Sequence, residues 1–179
     1  MKSAAFEYAR AASVSEVCEW LREDGENTKL IAGGQSLVPM MAMRLTRPAR
    51  LININEIDAL KFIRVDNEFA RTGACTRQCV IARDSALAQA VPLLKQALEW
   101  VGHVQTRNRG TVGGSLVHAD PAAEMPLVAQ ILGAQMVLRS HAGTFDTALV
   151  VVAGANDQST GEFGMAAVRA IERHAIDER

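Results

Sequence analysis

Two stretches of this 179-residue sequence place adjacent glycines directly before short polar side chains: Gly33-Gly34-Gln35-Ser36 and Gly113-Gly114-Ser115. Glycine permits backbone angles closed to other residues and leaves no Cβ between the main chain and whatever lies against it. Before the first pair, Leu30-Ile31-Ala32 reads as the end of a buried strand, and after it Leu37 reopens an apolar, helix-like pattern. A strand that turns sharply into a helix start presents unpaired N–H groups, which suit a phosphate or diphosphate held by main-chain amides. For either pair alone, a tight turn without a ligand is the alternative. Read together, both pairs are turns that can converge on one extended, diphosphate-linked molecule.

Other chemistries fit less well. Neither pair matches G-x-G-x-x-G or G-x-x-x-x-G-K-[ST], which argues against a Rossmann or nucleoside-triphosphatase loop. Gly113-Gly114-Ser115-Leu116-Val117 misses the hydrolase elbow G-x-S-x-G at Val117. His118 and Asp120 stand too near Ser115 for a triad, and as a metal pair they lack a third ligand at sensible spacing. Cys75 and Cys79 have no second cysteine or histidine pair nearby, which argues against zinc or an iron–sulfur cluster in this chain. No residue is therefore assigned a catalytic or metal-binding role.

The elements that must position these turns follow from periodicity and punctuation. Ser13, with Glu16 three residues on, opens a helix that Gly25 ends, with Val17, Trp20 and Leu21 on one face. A strand over 29–32, the first turn, a short helical or irregular segment over 37–45 and a strand over 51–55 make a β–α–β unit. Arg44, Arg47 and Arg50 either neutralise a bound anion or form a solvated basic edge. Strands over 60–65 and 68–74 join through Asp66-Asn67, and Thr76 is expected to cap the helix that follows. Pro92 starts a helix with Leu93, Leu94, Ala97, Leu98 and Val101 inward, and Gly102 ends it. The run over 105–124 is dense in glycine and small polar residues but bounded by helices. A helix over 126–132, strands over 135–140 and 144–152, a polar loop over 153–164 and a helix over 165–175 complete the expectation.

Composition bounds the function. A net charge of −1 advertises no affinity for nucleic acid or an anionic membrane surface, and no apolar run approaches the roughly 20 residues of a membrane span. Residues 1–6 lack the apolar block of a secretory signal. Three cysteines within apolar-periodic stretches read as reduced thiols, hence a cytoplasmic protein.

The segment Ala32-Gly33-Gly34-Gln35-Ser36-Leu37 with Arg44-Leu45 and Pro48, Gly73-Ala74-Cys75-Thr76, and the run Gln105 to Ser115 with Ala119-Asp120-Pro121-Ala122-Ala123-Glu124-Met125-Pro126 carry a resemblance. Over about residues 6–143 the chain resembles the FAD-binding medium subunit of molybdenum hydroxylases, the carbon-monoxide-dehydrogenase and xanthine-dehydrogenase-like enzymes. The resemblance implies an α+β, two-subdomain FAD-binding fold of the vanillyl-alcohol-oxidase/p-cresol-methylhydroxylase type. Residues 1–56 would form an α/β subdomain, 57–152 an α+β one, and 153–179 a divergent tail with a helix where relatives have a further domain, absent or replaced here. Lys29, Leu30, Ile31, Ala32, Gly33, Gly34, Gln35, Ser36 and Leu37 would wrap the diphosphate and ribityl of FAD. Thr111, Val112, Gly113, Gly114 and Ser115 would hold its other side. Asp120 and Glu124 match positions that reach sugar or ribityl hydroxyls, and Val101 one near the adenine. The family's role would be electron relay, from a molybdenum-cofactor large subunit through the iron–sulfur small subunit to FAD and an outside acceptor. A remnant of that fold without tightly held flavin, serving only as a partner-binding module, is the alternative; a phosphate-binding module for another nucleotide is a third reading.

Overall fold

Three short parallel strands, Glu7–Arg10 (β1), Thr28–Ile31 (β2) and Arg50–Asn53 (β3), form a sheet in the order β1-β3-β2. The computed structural model describes residues 2–148. β3 is central, with Leu51, Ile52 and Asn53 all buried, because a parallel strand covered on both faces hides successive side chains. β2 is an edge, and this corrects the buried strand expected there: Leu30 is exposed and the strand ends at Ile31. β1 was not foreseen; Glu-Tyr-Ala-Arg carries no strand alternation and is held by register with β3.

The helix Val14–Asp24 (α1) connects β1 to β2 and buries Val17 and Cys18. As the sequence predicts, Ser13 Oγ accepts from the Glu16 N–H at 3.2 Å; Glu16 reaches back, to the N–H of Ala12 rather than that of Ser13, at 2.7 Å. The short helix Leu37–Ala42 (α2) connects β2 to β3 and makes the β–α–β unit. Of its methionines Met41 is buried, whereas Met43 beyond its end is exposed. Ala11, Val17, Ile52 and Ile57 form the first core, with Trp20, Leu21 and Leu60 packed on it.

A second core follows. The hairpin Ile63–Val65 (β4) and Ala70–Thr72 (β5) turns at Asp66, whose carboxylate is held below its ordinary pKa by the N–H groups of Glu68 and Phe69 and by Arg71. Helices Gln78–Arg83 (α3), Ser85–Ala90 (α4) and Pro92–Trp100 (α5) then stack, with Pro92 at the first position of α5 and Gly102 beyond its end at φ +45°. Thr76 does not cap α3. Its hydroxyl bonds both the N–H and the C=O of Phe62, tying the hairpin to the helix instead.

The largest departure lies in the second glycine run. Residues 104–118 are two helices, Val104–Arg109 (α6) and Val112–His118 (α7), so Gly113 and Gly114 occupy the first turn of a helix and do not form a turn of their own. Thr111 is the N-cap, its hydroxyl accepting from Gly114 N–H at 3.1 Å, and a cap of this strength offsets glycine's poor helix propensity. Gly113 is small for a packing reason: a Cβ there would lie 2.7 Å from that of Ala74. Helix Glu124–Ile131 (α8) packs on α5 and α7, and Ile81, Leu87, Leu98, Val101, Val112 and Met125 form the second core. The antiparallel hairpin Gln135–Ser140 (β6) and Gly143–Ala148 (β7) follows, with Cys18 of α1 bonded to the carbonyl of Arg139. The continuation of the last strand to 152, the loop over 153–164 and the helix over 165–175 lie outside the described residues.

Candidate functional site

The first glycine pair folds as a true turn. Gly34 has φ +70°, the left-handed region that glycine tolerates, and the chain passes from β2 into α2 through Gln35 and Ser36. Ser36 is the N-cap by position, yet its hydroxyl makes no capping bond. Among the described residues, the N–H groups of Gly33, Gly34, Gln35 and Ser36 donate to no protein acceptor; the Gln35 side chain is folded back, its Nε2 donating to the Gly33 carbonyl at 3.0 Å. Consecutive uncommitted amides at a glycine turn form a concave donor surface for an anion.

Gly33 serves a different purpose. A Cβ there would lie 2.5 Å from the Arg109 carbonyl oxygen and 2.9 Å from Gly110 Cα. The missing side chain therefore lets the turn rest on the backbone just ahead of Thr111. Asn55 and Arg77 lock that approach. Asn55 Nδ2 donates to Ala32 O at 2.8 Å and Asn53 Oδ1 at 2.7 Å, and its Oδ1 accepts from Arg77 at 2.6 Å. Arg77 also donates to the Arg109 carbonyl, the last of α6, and pairs with Thr111 as an isolated bridge. The two glycine stretches, remote in sequence, are neighbours in space.

A groove of about 550 Å³ opens on this junction. Its walls are Ile31, Ala32, Gly33, Gly34 and Gln35 from the first stretch, Tyr8, Val38 and Pro39 as an apolar flank, and Asn53, Asn55, Arg77 and Arg109. That volume lies within the ordinary range for small-molecule sites. Arg77 and Arg109 have no carboxylate partner among the described residues, so the groove keeps positive charge beside free amides. Arg50, by contrast, pairs with Glu7 at 3.1 Å, and neither Arg44, Arg47 nor Arg50 lines the groove. A second hollow of about 340 Å³ between α1 and the β6–β7 hairpin shares no residue with it.

The remaining predicted residues fall in several places. Lys29, Leu30, Ser36 and Leu37 flank the turn without lining the groove. Thr111 to Ser115 adjoin it, but the amides of the last four are spent: Val112 N–H on Thr76 O, Gly113 on Ala74 O, Gly114 on the Thr111 hydroxyl and Ser115 on Thr111 O. What this stretch can still offer a ligand is the Ser115 hydroxyl, which makes no hydrogen bond among the described residues. Ala119 closes α7 at φ +51°, unusual for a residue with a Cβ, and sets up exposed Asp120, whose carboxylate accepts from Ala122 N–H at 2.9 Å. Glu124 begins α8, half-buried. The side chain of Val101 belongs to the second core. Asn55 and Arg77 are the residues sequence reasoning missed; only the tertiary fold brings them to the glycine turn.

Residues 4–151 match the family described as the FAD binding domain in molybdopterin dehydrogenase. The chain belongs to that family. The alpha subunit of the 6-hydroxypseudooxynicotine dehydrogenase complex of Paenarthrobacter nicotinovorans is 42% identical over 143 residues, covering 80% of this chain and 48% of that one. Quinoline 2-oxidoreductase of Pseudomonas putida 86 superposes with a TM-score of 0.81 at 40% identity, covering 83% of this chain and 52% of that one. Carbon monoxide dehydrogenase of Hydrogenophaga pseudoflava gives 0.80 at 36%, with the same coverage. The chain spans about half the length of the curated relatives it matches. The expected resemblance, the α+β FAD-binding fold and FAD as cofactor are thereby established. The groove fits FAD on its own terms: bare amides and unneutralised guanidinium suit a diphosphate, and the Tyr8 flank suits what the diphosphate links. Among the described residues no group of three metal-binding side chains occurs, and no helix is long and apolar enough to cross a membrane.

Proposed function

We propose that this chain is the FAD-carrying electron-transfer subunit of a molybdenum hydroxylase, working with a molybdenum-cofactor large subunit and an iron–sulfur small subunit. FAD held by these residues would supply the redox chemistry, a relay between the partner's iron–sulfur clusters and an outside acceptor. The chain's own residues bind and orient. Gly33 to Ser36 donate amides to the diphosphate, Ser115, Asp120 and Glu124 offer oxygen groups to ribityl or ribose hydroxyls, and Tyr8 with Val38 and Pro39 shields one side from water. The observation carrying this reading is the set of uncommitted amides at a left-handed glycine, set in a groove whose arginines face no carboxylate. We also place the subdomain boundary near residue 57; the two separate cores, the first closed by Ile57 and Leu60, support that division. A cytoplasmic site of action agrees with three free cysteines.

One observation favours the alternative, a partner-binding module of the same fold without tight flavin: every amide at the start of α7 is satisfied within the protein. A single experiment separates the two. The purified full chain should be yellow and release FAD on denaturation. Colourless protein that also refuses added FAD overturns the proposal, and FMN in place of FAD refutes the diphosphate grip. Co-purification with one iron-bearing and one molybdenum-bearing polypeptide tests the partners.

A further inference from the structure

We propose that Arg77 supplies the counter-charge for the diphosphate, as a binding residue of the groove that is held in place by neutral partners. The inference rests on the FAD reading above. Arg77 lines the groove together with the uncommitted amides of Gly33 to Gln35. Its guanidinium is fixed by two acceptors, the side-chain oxygen of Asn55 at 2.6 Å and the Arg109 carbonyl. Both are uncharged, and the rest of its five N–H donors meet no protein acceptor among the described residues.

The choice of partner is informative. A carboxylate at position 55 would grip the guanidinium more strongly, in a charge-assisted fork, but would cancel its charge at the groove. An amide holds the same geometry and leaves the charge for a ligand. Asn55 is in turn fixed by its bonds to Ala32 O and Asn53 Oδ1, so the cation is set at a fixed place relative to the glycine turn. A planar guanidinium with a free edge suits the oxygens of a diphosphate. The competing account is that Arg77 only closes the C-terminus of α6, through the Arg109 carbonyl.

Calorimetric titration of the flavin-stripped full chain with FAD, ADP and riboflavin, at low and high salt, distinguishes the accounts. Arg77→Gln should weaken FAD and ADP about ten- to hundred-fold, leave riboflavin unchanged and flatten the salt dependence. Arg77→Lys should recover part of the salt-dependent affinity, since it keeps the charge and loses the fork. If Arg77→Gln fails to fold, Arg77→Met and Arg77→Lys carry the same comparison, whereas Asn55→Asp would also remove the Nδ2 donations to Ala32 O and Asn53 Oδ1 that hold the glycine turn. Unchanged FAD affinity in Arg77→Gln, or an equal loss for all three ligands with an unaltered salt slope, overturns the inference. Wild-type protein that binds none of the three overturns the FAD reading itself.

Discussion

Replacing Gly33 with alanine probes the junction on which the groove depends. The added Cβ would stand 2.5 Å from the Arg109 carbonyl oxygen, whereas ordinary contact begins near 3.4 Å, so the first glycine turn and the α6–α7 connection must part by about 0.9 Å. The obstacles are backbone atoms of Arg109 and Gly110, held by Arg77 and by the Gln78 N–H to Gly110 O bond, so no side-chain rotation relieves the clash. Overpacking of this kind costs about 1–3 kcal/mol. Loss of unfolded-state freedom returns about 0.4–1 kcal/mol. A net destabilisation of about 1–2 kcal/mol lowers Tm by roughly 2–8 °C in a chain of this size. Because the displaced segment carries the amides of Gly33 to Ser36, FAD affinity should fall about tenfold, on the order of one hydrogen bond. Thermal unfolding by circular dichroism and titration with FAD read the two effects. A variant with wild-type Tm and wild-type dissociation constant would refute the idea that this glycine is required by its backbone neighbours.

Two further outcomes follow from local geometry. Thr111→Ala removes the cap of α7 and should cost about 0.5–2 kcal/mol in denaturant unfolding, with Thr111→Ser restoring most of it; an alanine variant as stable as wild type would mean the hydroxyl bond to Gly114 is idle. Burial pushes the Cys75 thiol above its ordinary pKa, against the lowering pull of Arg77 and Lys61. Its contribution to stability is thus fully present below the unfolded value of 9.0 and lost as pH rises through the folded one. In native protein a thiol reagent at neutral pH should label half-buried Cys79 first and reach buried Cys75 only on unfolding; prompt labelling of Cys75 would contradict its placement.

Features set by a few adjacent residues were legible in the sequence. Ser13 with Glu16, Pro92 with Gly102, Asp66-Asn67 and the strand over 135–140 each carry their own local signal, and the structure places each element where that signal stands. The first glycine turn belongs with them. The second pair misled, because Gly-Gly reads as a break unless the hydroxyl two residues before Gly113 is recognised as a cap and Ala74 as the reason for small side chains. Asn55 and Arg77 could not be found by pattern, since their importance arises from a meeting of Ala32 with Arg109 that only the tertiary fold creates. Likewise β1 has no periodicity of its own and exists through its partner β3.

The central place of β3 has a consequence for how the molecule assembles during translation. Glu7 and its partner Arg50 are 43 residues apart, and β2 too must wait for the same late strand. Two nascent edges therefore leave the ribosome idle, and one short tetrapeptide zips both at once. Parallel pairing over such separations is slow. The amino-terminal half thus commits to its shape only once Arg50–Asn53 is free to pair with both strands.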